Sequence, residues 1–341
     1  MSLSRPASRE SLFVSFILDS SKYLLERRRF FLAPLLLFVG IAGSSQSPMV
    51  GGQANIAVVA NLVLLPVKVT NARGTSVSGL KAQDFRVYED GKLQNLTVFE
   101  QGDAPVTVGL VVDHSRSMGS KLLGVVIAVS SFAHSSNPQD EMFVVDFNDD
   151  VSIELMSGKA FSSDVKDLEK ALTAVSARGR TALYDAVNEG LNHLQYGHWG
   201  KKALIVISDG GDNASHLKYS QVLARARQSQ ALIYSIGLLG AEDEEENPKA
   251  LQRLCKDTGG VAFFPGPKDR VADISKEIAR DLREQYTLGY VPQNLSGGGS
   301  FRKIEVKVTA PDYGKLHVRT RAGYSPAPDK QPAAQPRSGT R

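Results

Sequence analysis

The apolar positions of this chain change their period twice, and each change marks a boundary between kinds of structure. From Asn61 to Asn71 the run NLVLLPVKVTN is apolar and β-branched. ARGTSVSGL then supplies turn residues, and DFRVYEDGKLQNLTVFEQ (Asp84 to Gln101) alternates around Glu89-Asp90-Gly91. An Asp-Gly pair between alternating stretches predicts a β-hairpin, and no helical period is present. From Val106 to about Gln285 the pattern becomes short continuous apolar runs (VTVGLVV, MFVVDF, ALIVIS, LIYSIG) separated by amphipathic segments. These segments are Lys121–Ala133, Val165–Val175, Ala182–Leu194, Tyr219–Gln228, Pro248–Lys256 and Val271–Arg283. Apolar strands without alternation, separated by helices, predict a doubly wound α/β domain whose mainly parallel sheet is covered on both faces. Ser163-Asp164 and Asn247-Pro248 read as helix starts, and Thr258-Gly259-Gly260 as a glycine-terminated helix end. After Gln285 the period returns to two in QYTLGYVP, FRKIEVKVTA and KLHVRTRAGY.

These shifts divide the 341 residues into five parts. Residues 1–52 are a leader and spacer, 53–104 an N-terminal β unit, 105–285 the α/β domain, 286–325 C-terminal strands, and 326–341 a tail whose Pro, Ala, Gln and Ser content predicts disorder. Neither β flank is large enough to be stable alone. They are expected to pair into one small β-sandwich in which the α/β domain is inserted.

In the leader, Arg27-Arg28-Arg29 precede the apolar stretch Phe30 to Ala42 and the small residues Gly43-Ser44-Ser45. A basic flank, a short apolar core and a small-residue exit describe a secretory signal or, if uncleaved, an anchor. The expected location is therefore extracytoplasmic: periplasmic, cell-surface or secreted. Membrane contact is expected only through that segment. The net charge of +4 is mild and partly carried by the two ends. With no cluster of Lys and Arg in the middle of the chain, a nucleic-acid partner is not expected. The single cysteine, Cys255, excludes an intrachain disulfide and reads as a buried thiol on the apolar side of a helix.

Candidate chemistry gathers where apolar runs stop. In an open parallel sheet, ligands bind outside the carboxyl ends of the strands. The first run is followed there by Asp113-His114-Ser115-Arg116-Ser117, and ALIVIS by Asp209-Gly210-Gly211-Asp212-Asn213. Between them ARGRTALYDAV places Thr181 where a helix begins. These are hard oxygen donors, which suit Mg²⁺ or Mn²⁺. Taken singly, the serines could cap a helix beginning near Met118, Thr181 could be another cap, and Asp209-Gly210 a turn. It is their joint order that points to an ion site.

The D-x-S-x-S stretch, a distant Thr opening a helix and a later strand ending in Asp-Gly resemble the von Willebrand factor A domain and its metal-ion-dependent adhesion site. With its flanks GLKAQDFRVYEDGKLQNLTVFE and QYTLGYVP…FRKIEVKV…VRTRAGY, the chain is most similar to bacterial proteins related to that family, of the acidobacterial type. The resemblance implies that Ser115, Ser117 and Thr181 bind a metal directly or through water, and that Asp113 and Asp209 hold coordinating waters. Mg²⁺ is the implied ion, with Mn²⁺ or Ca²⁺ as alternatives. Neutral hydroxyl ligands would leave its charge under-compensated, so a carboxylate from a partner protein would complete the shell. His114, Arg116 and Asp212 are expected at the rim that meets this partner. One departure is Arg116, where the family usually has glycine; a side chain there would crowd the metal or set a cation beside an acidic ligand. Affinity switching, if the chain has it as some relatives do, would involve the helix Val271–Arg283.

Rival readings fare less well. A phospho-aspartate phosphatase would need a second carboxylate where Ser115 stands, and there is no G-x-S-x-G elbow for a serine hydrolase. With no general base evident, the chain reads as non-enzymatic. DFNDD (Asp146 to Asp150) imitates the start of a calcium loop, but Val151 and Ser157 occupy its glycine and glutamate positions, so it reads as a solvated strand end. His193 and His198 lack a zinc-site context and read as surface residues, and Glu242 to Glu246 as a solvated loop. The function expected is exported, metal-dependent protein binding of the adhesion type. The alternative is an envelope-assembly scaffold whose ion site is degenerate.

Overall fold

The computed structural model describes residues 62–155, 158–240, 246–266, 268–293 and 300–326. The leader with its apolar segment, the acidic run from Glu242 to Glu245 and the tail from residue 327 lie outside the described residues.

Four strands come first: β1 (Val63–Asn71), β2 (Phe85–Glu89), β3 (Lys92–Gln94) and β4 (Leu96–Gln101). The β2–β3 turn is Asp90-Gly91, with φ of 48° and 79°. Both residues are left-handed, as a two-residue hairpin turn matching strand twist requires. The α/β segment follows as β5 (Val106–Asp113), α1 (Leu122–Ser135), β6 (Glu141–Phe147), β7 (Val151–Glu154), α2 (Val165–Thr173), α3 (Leu183–His193), β8 (Lys201–Ser208) and α4 (Tyr219–Gln228). It continues with β9 (Leu232–Gly237), α5 (Pro248–Thr258), β10 (Ala262–Phe263) and α6 (Val271–Arg283). The chain closes with β11 (Tyr286–Tyr290), β12 (Arg302–Val308), β13 (Leu316–Arg319) and β14 (Gly323–Tyr324).

The six-stranded sheet has the order β10-β9-β8-β5-β6-β7, parallel except for the antiparallel edge strand β7. Its central strand explains the unbroken apolar run. Val108, Leu110 and Val112 face a core built with Val125, Phe132, Leu168, Ile278 and Leu282. Val111 faces the opposite core, with Phe143, Leu204, Val187, Val222 and Leu251. Helices α1, α2 and α6 thus cover one face and α3, α4 and α5 the other. Successive side chains of a strand point to opposite faces, so burial on both leaves no polar alternation. The chain reverses its winding between β5 and β8, whose C-terminal ends lie side by side. That is the switch point at which such sheets form a cleft.

The flanks meet. β1 pairs antiparallel with β11 and β13, in the sheet β13-β1-β11-β4, and a second antiparallel sheet runs β14-β12-β2-β3. Leu65, Val67, Phe85, Val87, Leu288, Tyr290 and Ile304 share one core, so residues on both sides of the α/β segment complete the same structure. A charged junction ties this sandwich to α6. Lys68 Nζ lies 3.3 Å from Asp281 and 3.0 Å from Glu284, Arg319 Nη2 lies 2.5 Å from Asp281, and the Tyr234 hydroxyl donates to Asp281 at 2.6 Å.

Some expectations are corrected. KLHVRTRAGY is two strands in different sheets. The break follows from Arg321, which is buried and donates to the carbonyls of Gly323, Arg227 and Ser229. DFNDD is not a solvated strand end: Asp146 and Asn148 are buried, and the strand turns back on itself as β7.

Candidate metal centre

β5 ends at Asp113, and the carboxylate it delivers is completely buried. One oxygen accepts from the Ser115 amide at 2.8 Å and the other from the Ser208 hydroxyl at 2.6 Å. Ser208 ends the neighbouring strand β8, so Asp113 fastens the two strand ends together. Burial pushes its pKa up to about 6, against the lowering effect of those hydrogen bonds. The chain then makes a 3₁₀ turn at Arg116–Lys121 before α1. Within it the Ser115 and Ser117 hydroxyl oxygens lie 3.1 Å apart. Ser117 donates to Asp209 Oδ2 at 2.7 Å, from the loop after β8. Ser115 and Asp209 are both buried. Four of the five residues expected from sequence are thus linked by hydrogen bonds at one point of the sheet rim.

Thr181, the fifth, is buried and sits on a loop pinned against the Ser115 turn. The Arg178 amide donates to His114 O at 2.9 Å and the Arg116 amide to Gly179 O at 3.3 Å. On the other side, the Thr181 amide donates to the Asn213 side chain at 2.8 Å, and its carbonyl accepts from the amides of Asn213 and Ala214. Gly179 is required in this loop. Its φ is +75°, and a Cβ there would fall 1.8 Å from Asp149 Oδ2. Asp149 in turn holds the Arg180 amide and guanidinium, both at 2.9 Å.

The three rim residues have different fates. His114 is a correction: it is 2 % exposed, with Nδ1 against the Asp146 carboxylate, and so cannot touch a partner. The backbone reason is that its amide donates to Phe147 O, which folds His114 inward between the ends of β5 and β6. Asp212 turns away as well. Its carboxylate accepts from the Tyr184 amide at 3.1 Å and the Ser215 hydroxyl, supplying the cap that α3 lacks at Ala182. Only Arg116 is exposed, so its side chain does not fill the cleft.

The sequence did not suggest Lys121. Its ammonium lies 3.4 Å from Asp209 Oδ2 and 3.4 Å from Glu246 Oε1, with the side chain 15 % exposed. Its position four residues after Ser117, one turn into a helical stretch, was the available signal.

The donors are hydroxyl and carboxylate oxygens; among the described residues no group of three or more His, Cys, Asp or Glu side chains is arranged to hold a metal. A hard, oxygen-seeking ion such as Mg²⁺ fits this donor chemistry, and a thiophilic one does not.

Residues 108–277 match the family model of the von Willebrand factor type A domain. This segment has the von Willebrand factor type A fold. The A domain has solved counterparts at low identity. A von Willebrand factor type A protein from Catenulispora acidiphila is 11 % identical, with 79 % of this chain and 76 % of that one covered at a TM-score of 0.48. An aerotolerance-related membrane protein from Bacteroides fragilis is 17 % identical, covering 52 % and 98 % at 0.43. The vWF domain of the type V pili tip protein Mfa5 from Porphyromonas gingivalis is 13 % identical, covering 53 % and 97 % at 0.44. No curated protein matches the chain.

Proposed function

We propose that the A domain is a divalent-metal-dependent protein-binding module of the adhesion type, exported by way of the apolar segment at residues 30–42. The observation that carries this reading is the convergence of Ser115, Ser117 and Asp209, from two adjacent strand ends, over a buried Asp113. Ser115, Ser117 and Thr181 would hold the ion, with Asp113 and Asp209 orienting its waters. Mg²⁺ is the ion of choice, with Mn²⁺ and Ca²⁺ as alternatives. The bound ion supplies an incompletely neutralised positive charge that attracts a partner's carboxylate. The protein's own residues do the rest: Asp113 fixes the Ser115 turn, and Gly179 lets the Thr181 loop approach.

A second reading, a scaffold with a degenerate site, draws on Lys121, whose ammonium already leans on Asp209. Calorimetric titration of the full chain with Mn²⁺ and Mg²⁺ separates the two, beside its Ser117→Ala and Asp209→Ala variants. Saturable binding in the parent, lost in both folded variants, supports the adhesion reading. A folded parent that takes up neither ion overturns it in favour of the scaffold.

A further inference from the structure

The mouth of the ion site carries two arginines that the binding of a metal does not use. Arg116 stands between the two serines, and Arg178 lies on the loop facing it. The two hydrogen bonds already described, Arg178 N to His114 O and Arg116 N to Gly179 O, lace these loops in opposite directions. A Cβ on Gly119 would lie 3.7 Å from the Ala177 side chain, so the loops stay in contact past the arginines. Both arginines are exposed, and among the described residues neither side chain has an ion pair or hydrogen bond.

The acids of the same rim are mostly occupied. Asp149 is held by Arg180, Asp212 caps α3, and Asp209 is shared by Ser117 and Lys121. Asp150 is exposed and unpaired among the described residues. Two unpaired guanidinium groups therefore stand against one unpaired carboxylate at the mouth.

A ligand with one carboxylate would satisfy the ion and leave both guanidinium groups facing water. Guanidinium presents a planar fork that matches a carboxylate in bidentate fashion. We infer that this rim recognises an acidic protein segment carrying several carboxylates, one for the ion and the others for Arg116 and Arg178. The inference rests on the metal-dependent reading and adds the character of the partner to it. Arginine at position 116, where glycine would leave the rim bare, then sets specificity without obstructing the ion. Because the arginines are exposed, their contribution is screened by salt and governs selection among partners more than total affinity.

The test uses the full chain and its Arg116→Gln/Arg178→Gln variant, both loaded with Mn²⁺. Two labelled peptides of equal length serve as probes, one with a single aspartate in a Gly/Ser background and one with four clustered aspartates. Anisotropy is expected to show the four-aspartate peptide binding the parent about tenfold tighter than the single-aspartate one. That preference should shrink as NaCl rises from about 50 to about 300 mM, and disappear in the variant. The single-aspartate affinity should fall much less than the four-aspartate affinity in the variant. Equal affinity of the parent for the two peptides overturns the inference, as does a preference that survives in the variant. A sulfated oligosaccharide that outcompetes the acidic peptide in an arginine-dependent way overturns the assignment to a protein partner. Calorimetric Mn²⁺ uptake is read separately on both proteins. If uptake is present and equal, the loss concerns the rim alone; if it is absent from the folded parent, the metal-dependent reading has failed first.

Discussion

Replacing Lys121 by methionine should tighten the binding of a divalent ion. The ammonium lies 3.4 Å from Asp209 Oδ2 and the same distance from Glu246 Oε1. Opposite unit charges at that spacing attract by roughly 1 kcal/mol in bulk water and roughly 5 kcal/mol at an effective dielectric of about 20. The Lys121 side chain is 15 % exposed and that of Asp209 3 %, which places the pair between these limits. Glu246 competes for the same ammonium and reduces its hold on Asp209. An ion that draws on Asp209 therefore gives up about 1–2 kcal/mol to Lys121, or roughly tenfold in affinity. Methionine keeps most of the aliphatic stem, and Glu246 retains the Gly240 amide as a donor, so the fold should survive. Mn²⁺ calorimetry on parent and Lys121→Met is the assay, with a thermal melt to confirm folding. The converse variant, Glu246→Gln, leaves the ammonium to Asp209 alone and should weaken Mn²⁺ binding. If a folded Lys121→Met protein binds Mn²⁺ no better than the parent, the electrostatic reasoning is wrong.

Three further outcomes are expected. Gly179→Ala forces alanine into a left-handed backbone worth about 1–2 kcal/mol and drives its Cβ into Asp149; a lower melting temperature with weaker Mn²⁺ uptake should follow, and an unchanged melt would contradict the geometry. At Asp281, burial works to raise the carboxyl pKa, but Arg319, Tyr234 and Lys68 outweigh it and hold the value below the ordinary 3.8. Such a group stabilises the fold above its unfolded pKa and ceases to as the pH falls through the folded one, so between pH 5 and pH 3 the urea midpoint of the parent should drop more steeply than that of Asp281→Asn. Cys255 is buried with its pKa pushed up to about 12 by desolvation; an aromatic disulfide reagent at pH 8 should label it only after denaturation, and rapid labelling of native protein would show that the α5 face opens.

How far the sequence led depended on whether the deciding interaction was local. Helices α4 and α6 begin and end where the amphipathic period does, because their apolar stripes lie within the segment itself, and at α4 the Gln221 side chain also accepts from the Lys218 amide. The β2–β3 hairpin and the glycine end of α5 were legible for the same reason, since φ at Asp90, Gly91 and Gly259 is set by residue type. That Asp113, Ser115, Ser117 and Asp209 meet at one rim was legible because strand ends carry them in order. Their partners were not. Nothing near His114 in the chain announces Asp146, and nothing near Asp212 announces the bare amide of Tyr184. β7 was hidden because its four residues follow a stretch whose acids suggest solvent, although Asp146 is buried. The division of the last strand depends on Arg321, whose burial is decided by carbonyls more than ninety residues away.

The pairing of β1 with β11 also bears on the order in which the chain can assemble. The Tyr286 hydroxyl donates to Val77 O across 209 residues of sequence. Closing a flexible loop of that length costs roughly 5 kcal/mol in chain entropy before any contact is returned. Folding the inserted A domain first replaces most of that loop with a rigid body, which leaves only short tethers to be ordered. The sandwich is therefore expected to form after the A domain, which pulsed hydrogen exchange would show as later protection of β1 and β11 than of β5 and β8. Residues 62–101, released before their partners exist, must wait with the apolar face of β1 uncovered until β11 emerges.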